Sequence, residues 1–300
     1  MATEETVVIG ERPSVIGGLE QARRGTARVA PTDLLAWLVL LVGSLVMLAP
    51  IFWLVSTALK VPAQTYRFPP EWIPNPVRWQ NFPDALTAVP FDRYVANTLI
   101  ISGASIAGVV LSSSLAAYGF ARLRFPGRDV LFVLVLTTLM LPQTVTLIPR
   151  YIEFRSLGWI DTWWPLIVPN WFGNAYFIFL LRQFFRTIPR DLSDAARVDG
   201  ASEFRIFWQI IMPLSRPALM VVVVFSFLYN WNDFLEPLIY IASDDKKTVA
   251  LGLYSFQGAF STEWNLLMAA ATVMILPVVV LFFFLQRYFI QGVVLTGLKG

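Results

Sequence analysis

Asp194-Ala195-Ala196, Gly200, Ile210 and Met212-Pro213 stand at fixed intervals in a long polar stretch between apolar segments of this chain. The chemistry such residues offer is mechanical rather than covalent. Two adjacent alanines let another backbone approach a helix closely, and Gly200 permits the left-handed turn that ends a helix at little cost. A second set, Asn230, Asn232, Asp233 and Glu236, closes an apolar segment. Amides both donate and accept, which suits solutes rich in hydroxyls, and carboxylates this close to hydrocarbon must face water or protein. Asn230, Asn232 and Asp233 are therefore candidates to border a translocation pathway, the alternative being a helix end hydrated at the membrane surface. Histidine and cysteine are both absent. That removes imidazole acid-base catalysis, thiol nucleophiles and the commonest metal ligands together, so no catalytic residue, metal or cofactor is expected.

The polar stretch reads as a bent pair of short helices. Pro189 breaks the preceding helix, Asp191 is the expected N-cap, and the first helix should start near Leu192, with Asp194 reaching back to the free amides of the first turn. Gly200 should end it. Ser202 can cap a second helix in which Phe204, Phe207, Trp208 and Ile211 share one face and Glu203, Arg205 and Gln209 lie elsewhere. Pro213 and Pro217 then mark a return to the bilayer. Local physics alone leaves another reading open, an amphipathic element lying on anionic lipid through Arg182, Arg186, Arg190, Arg197 and Arg205.

The elements that must position these residues are membrane helices. With 56% hydrophobic and only 14% charged residues, the composition excludes a soluble domain. Six segments are long and apolar enough to cross a core that needs about 20 helical residues: 34–58, 94–120, 130–149, 164–181, 217–242 and 267–290. Arg23, Arg24, Arg28, Arg122, Arg124, Arg128, Arg182, Arg186 and Arg190 all fall on the side of the N-terminus, so both termini and the polar loop are expected in the cytoplasm. Residues 1–33 read as a flexible tail.

Ala104, Gly108, Ser112 and Ala116 form a small-residue stripe that should face protein rather than lipid. Seven prolines between Pro62 and Pro90 forbid one continuous helix there. No Gly-x-x-x-x-Gly-Lys-Ser/Thr phosphate loop occurs, so energy from ATP would have to come from a partner.

Taken together, the loop spacing, the apolar segments and their orientation resemble one family. The signature Glu-Ala-Ala, three residues, Gly, nine residues, Ile, one residue, Leu-Pro is matched gap for gap, with Asp194 for Glu and Met212 for Leu. Ala116-Ala117-Tyr118-Gly119-Phe120-Ala121-Arg122 and Asn230-Trp231-Asn232-Asp233-Phe234 extend the likeness. The chain resembles a permease subunit of a binding-protein-dependent ABC importer, in the carbohydrate group typified by the shorter maltose permease.

The resemblance implies an all-α, polytopic fold with six transmembrane helices, the type I ABC importer permease fold, over residues 34–300. Its core would span about 94–290 and its coupling loop 182–216. It implies a bacterial or archaeal cytoplasmic membrane and four kinds of contact: a second permease subunit, two ATPase subunits, an extracytoplasmic solute-binding protein, and lipid, with no role for nucleic acid. ATPase coupling would fall to Asp194, Ala195, Ala196, Asp199, Gly200, Ile210 and Pro213. Tyr254, Phe256 and Gln257, in an outer loop over 243–265, would meet the binding protein. The competing class is a self-contained secondary carrier or channel, which would need paired helix breaks or intramembrane ion ligands.

Overall fold

The computed structural model describes residues 31–258 and 262–297, so the tail expected over 1–33 lies almost wholly outside the described residues. The chain divides at Trp53/Leu54 into two compact units. Across that division runs helix α1, Pro31–Ala58.

Apolar runs without interior breaks give long helices. Asp33–Ala58, α4 (Phe91–Arg122) and the first part of α15 (Trp264–Gly297) are long and apolar enough to cross a membrane. At 1.5 Å per residue, α4 is roughly 48 Å long against a hydrocarbon core of about 30 Å, long enough for its ends to reach both polar boundaries. The other three of the six expected segments are not single helices but broken elements. The third is α5 (Arg128–Thr137), a 3-10 turn and α6 (Gln143–Ser156), bent by 97° at Leu141-Pro142. The fourth consists of α7 (Trp164–Ile167), a 3-10 segment Val168–Phe172, and α8 (Ala175–Thr187). Gly173 separates them at φ +87°, and Asn174 caps α8 by accepting from the amides of Tyr176 (3.0 Å) and Phe177 (3.3 Å). The fifth is α12 (Arg216–Asn232) followed, after extended Asp233, by α13 (Leu235–Tyr240). Hydropathy sees each of these as one apolar run, whereas the backbone breaks inside it, at Pro142, Gly173 and Asp233.

Helix α4 organises the second unit. Its small-residue stripe packs on the 168–172 segment: a Cβ on Gly108 would lie 2.4 Å from the Trp171 ring, and the Ser112 hydroxyl donates to the carbonyls of Gly108 (2.7 Å) and Asn170 (3.3 Å). The stripe therefore faces protein, as the sequence implied. Toward the C-terminal end of α4, Val109, Ala117 and Tyr118 join Phe177, Leu181 and Phe185 of α8 and Leu219 and Val222 of α12 in one core.

Between α1 and α4 the chain makes only short helices, α2 (Pro62–Thr65) and α3 (Asn81–Ala88), as the prolines require. The buried amide of Asn81 ties the start of α3 to the end of α1 by donating to the carbonyls of Ala58 (2.8 Å) and Lys60 (2.7 Å). Toward the N-terminal end of α4, helix α14 (Val249–Tyr254) docks through the amide of Val249, which donates to the Thr98 hydroxyl at 2.8 Å.

Candidate functional site

The loop between α8 and α12 folds into a rigid hook. Helix α9 (Arg190–Val198) begins with Pro189 in the capping position, two residues before the expected start, so Asp191 lies in the first turn and does not cap it. The entry is fixed from outside, because Arg122 donates to the carbonyl of Ile188 at 2.7 Å and the buried Ile188 side chain joins the core. Gly200, at φ +80°, ends the helix as its sequence position implied. The amide of Gly200 bonds Arg197 O (3.0 Å) and that of Ala201 bonds Ala196 O (2.9 Å), the two bonds of a left-handed C-terminal turn.

Ser202 then caps α10 (Glu203–Ile206), accepting from the amide of Arg205 at 3.4 Å. A π turn over Phe207–Ile211 leads into α11 (Met212–Leu214), with the amide of Met212 reaching back five residues to Phe207 O. Pro213 has no N–H to give Gln209, and the widened turn accommodates that loss. The extra residue also shifts the helical register. Ile206, Phe207 and Ile211 are buried while Phe204 (66%) and Trp208 (42%) are exposed, so the expected single face is split.

A chain of charged contacts stiffens the hook. Asp194, rather than reaching back to free amides, pairs with Arg197 at 2.5 Å. The other side of the Arg197 guanidinium binds Glu203 at 2.7 Å, and Tyr118 of α4 donates its hydroxyl to the second Glu203 oxygen at 2.5 Å. Arg197 holds the Glu203 carboxyl below its ordinary pKa, partial burial opposes this, and the Tyr118 hydroxyl adds to it. Glu203 in turn raises the pKa of Arg197. Along the outer surface Ala195, Asp199 and Pro213 are exposed, beside exposed Leu192, Val198 and Phe204, whereas Ala196 and Ile210 are half-buried against the core.

At the far end of α12 lies a cavity of about 460 Å³ between α6, α12 and α13. Gln143 and Arg150 line it from α6, with Tyr229, Asn232, Asp233 and Glu236 opposite. Arg150 bonds Glu236 at 2.9 Å. Of the sequence candidates, Asn232 and Asp233 meet here. Asn230 does not line the cavity; its amide donates to Ser226 O (2.7 Å) within its own helix. Sequence reasoning missed Arg150, Gln143 and Tyr229. An arginine at the end of an apolar segment, matched against two carboxylates elsewhere, was the available signal for the first.

In the 243–265 loop Tyr254 and Gln257 are exposed, whereas Phe256 is 4% exposed and packs in a core with Tyr94 and Trp231. Of the three residues, only Tyr254 and Gln257 have exposed side chains.

Comparison with known proteins matches residues 108–294 to the family described as binding-protein-dependent transport system inner membrane component. The probable ABC transporter permease protein YurM of Bacillus subtilis is 31% identical over 269 residues, covering 88% of each chain. The sn-glycerol-3-phosphate transport system permease protein UgpE of Yersinia pestis is 34% identical over 271 residues, covering 87% of this chain and 96% of its own. The arabinooligosaccharides transport system permease protein AraQ of Bacillus subtilis is 35% identical over 208 residues, covering 69% and 74%. Among solved structures, a chain of a bacterial ABC transporter that imports the acidic polysaccharide alginate aligns over 94% of this chain and 100% of its own, with a TM-score of 0.75 at 20% identity. The two share a fold.

Proposed function

Because the chain belongs to the family of binding-protein-dependent transport system inner membrane components, we propose that it forms half of the translocation pathway of an ATP-driven importer for a sugar or sugar-like solute. It is a multi-pass membrane permease subunit and not itself an enzyme. Its relatives are named for glycerol phosphate and arabinooligosaccharides, which supports a hydroxyl-rich solute here. The partners would be a second permease, two ATPase subunits and an extracytoplasmic binding protein, with both termini and the loop 182–216 in the cytoplasm. The domain plan follows: a tail over 1–33 and a permease over 34–300.

The observation that carries this reading is the hook. A helix ending in a tight left-handed turn, braced through Arg197 and Glu203 to the spanning helix α4, moves as one body with that helix. Its exposed rim of Leu192, Ala195, Val198 and Phe204 offers an ATPase subunit an apolar surface free of bulk at the alanine. The cavity at Asn232, Asp233 and Arg150 would border the solute route, its amides and charges replacing water around hydroxyls. Tyr254 and Gln257 would face the binding protein.

Gly200 provides the test. Nothing lies within 4 Å of a Cβ built there, so a side chain meets no atom of this chain, and the cost is the left-handed conformation, about 1–2 kcal/mol. Gly200→Ala carries that strain with little bulk, whereas Gly200→Leu adds bulk toward the partner. In vesicles holding the whole importer, Gly200→Leu should insert normally yet lose uptake and substrate-stimulated ATP hydrolysis, with Gly200→Ala keeping most of both. Full uptake by Gly200→Leu would refute the docking role.

A further inference from the structure

At the end of α4 opposite the hook, a cleft of about 490 Å³ opens between the first turns of α4, the start of α7 and the 244–247 turn. Its walls are amphipathic. Trp163, Trp164 and Ile167 form the apolar part, and Trp164 is 55% exposed; Arg93, Asp245 and Lys246 supply the charges. The cleft is built rather than incidental. The buried Asn97 amide donates to the carbonyls of Asp245 and Lys247, both at 2.9 Å, and the Trp163 indole donates to Lys246 O at 3.1 Å, so rings and turn are held in place.

The charges are unequal in availability. Lys246 is engaged, its ammonium bonded to the Asp161 carboxylate (3.1 Å) and carbonyl (2.6 Å). Arg93 and Asp245 are exposed, and among the described residues neither side chain makes a hydrogen bond or ion pair, with the other or with anything else. One cleft at the N-terminal end of α4, a helix longer than a hydrocarbon core is thick, thus presents a free guanidinium, a free carboxylate and two indoles. Indoles sit at headgroup level, where one edge is apolar and the other wet. A guanidinium binds phosphate oxygens through paired N–H donors, and a carboxylate accepts from an ammonium.

We propose that this cleft binds the headgroup of a zwitterionic phospholipid carrying a primary ammonium, with the phosphodiester on Arg93, the ammonium on Asp245 and the glycerol region against Trp164 and Ile167. Phosphatidylglycerol offers the same phosphodiester but no cation, so Asp245 is left unmatched. Phosphatidylcholine offers a cation with no N–H to donate. The lipid would brace the outer turns where α6, α7 and α13 meet. This site is independent of how the hook is driven.

The assembled importer, placed in nanodiscs of equal parts phosphatidylethanolamine, phosphatidylglycerol and phosphatidylcholine and then released gently, is examined for retained lipid by native mass spectrometry. Phosphatidylethanolamine should be enriched roughly fivefold over each of the others, the discrimination one partly exposed ion pair supplies. Arg93→Ala should abolish the enrichment, while the near-isosteric Asp245→Asn should erase the preference over phosphatidylglycerol and Arg93→Lys should retain part of it. Equal retention of the three lipids by the wild-type complex, or undiminished enrichment in both Arg93→Ala and Asp245→Asn, would overturn the proposal. So would preference for phosphatidylglycerol, which marks a plain anion site, or quenching of Trp164 fluorescence by maltotriose and not by lipid, which marks a carbohydrate site.

Discussion

Tyr118→Phe removes one hydroxyl from the interior of α4 and tests whether the hook is tied to that helix. The deleted bond, 2.5 Å from a Glu203 oxygen, is charge-assisted. Hydrogen bonds to charged groups contribute about 1.5–3 kcal/mol. The ring itself stays packed, since Phe207 lies against it at 5.3 Å between centroids and the position is 5% exposed. Glu203 keeps its 2.7 Å pair with Arg197, so the hook should remain folded but part from α4 more often. At about 1.4 kcal/mol per decade, local opening rises roughly ten- to hundredfold. Amide hydrogen exchange in the purified importer reads this directly at the start of α10, where the amide of Ile206 bonds Ser202 O at 3.0 Å. Glu203→Gln should act similarly, and the double variant should show much less than the sum of the two. Exchange within twofold of wild type in Tyr118→Phe, or strict additivity with Glu203→Gln, would refute the tie.

Gly108→Ala should lower the thermal midpoint of the complex, because the new methyl meets the Trp171 ring at 2.4 Å and overpacking costs about 1–3 kcal/mol; Trp171→Leu in the same chain should recover most of the loss. Asp161 sets a pH dependence on the opposite face. The Ser243 hydroxyl and amide hold its carboxyl well below the ordinary value of 3.8, so the clasp is fully present above that value and is lost only as pH falls through the lower native one. Exchange protection of 241–247, corrected for intrinsic rate, should be flat from pH 7 to about 5 and decline below about 4. Asp161→Asn, which tolerates the φ of +61° at that position, should remove the protection at every pH.

The hook was readable from sequence wherever its cause is local. Gly200 ends a helix because of its own backbone freedom, and Ser202 caps one because its hydroxyl reaches an amide three residues on. The start of α9 was not readable, since Asp191 is a good cap in isolation and the entry is set by Arg122, whose bond to Ile188 spans 66 residues. The split of Phe204 and Trp208 from Ile211 follows from the π turn, which no 3.6-residue pattern anticipates. Hydropathy found the apolar segments but not their breaks at Pro142, Gly173 and Asp233. The cavity was half visible: Asn232 and Asp233 were in view, while Arg150 gains its meaning from Glu236, 86 residues away in sequence.

Under the proposed coupling, the hook and the cavity need a stiff link, and α12 has the composition of one. It begins two residues after α11 ends and finishes at Asn232 on the cavity wall, 17 residues or roughly 25 Å away. From Ala218 to Asn232 it contains neither glycine nor proline, and Val221 to Val224 add β-branched side chains restricted at χ1. The compliance is therefore concentrated at its two ends. At the near end the 78° bend turns on Ser215, whose amide is shared between Ile211 O (3.0 Å) and Met212 O (3.2 Å). At the far end the helix stops at extended Asp233, next to Trp231, whose indole donates to Met274 O of α15 at 3.1 Å. A rotation imposed on the hook then has no place to dissipate within α12. It must reappear as displacement of Asn232 and Asp233 relative to Arg150 on α6, the two walls of the cavity joined by the Arg150–Glu236 pair.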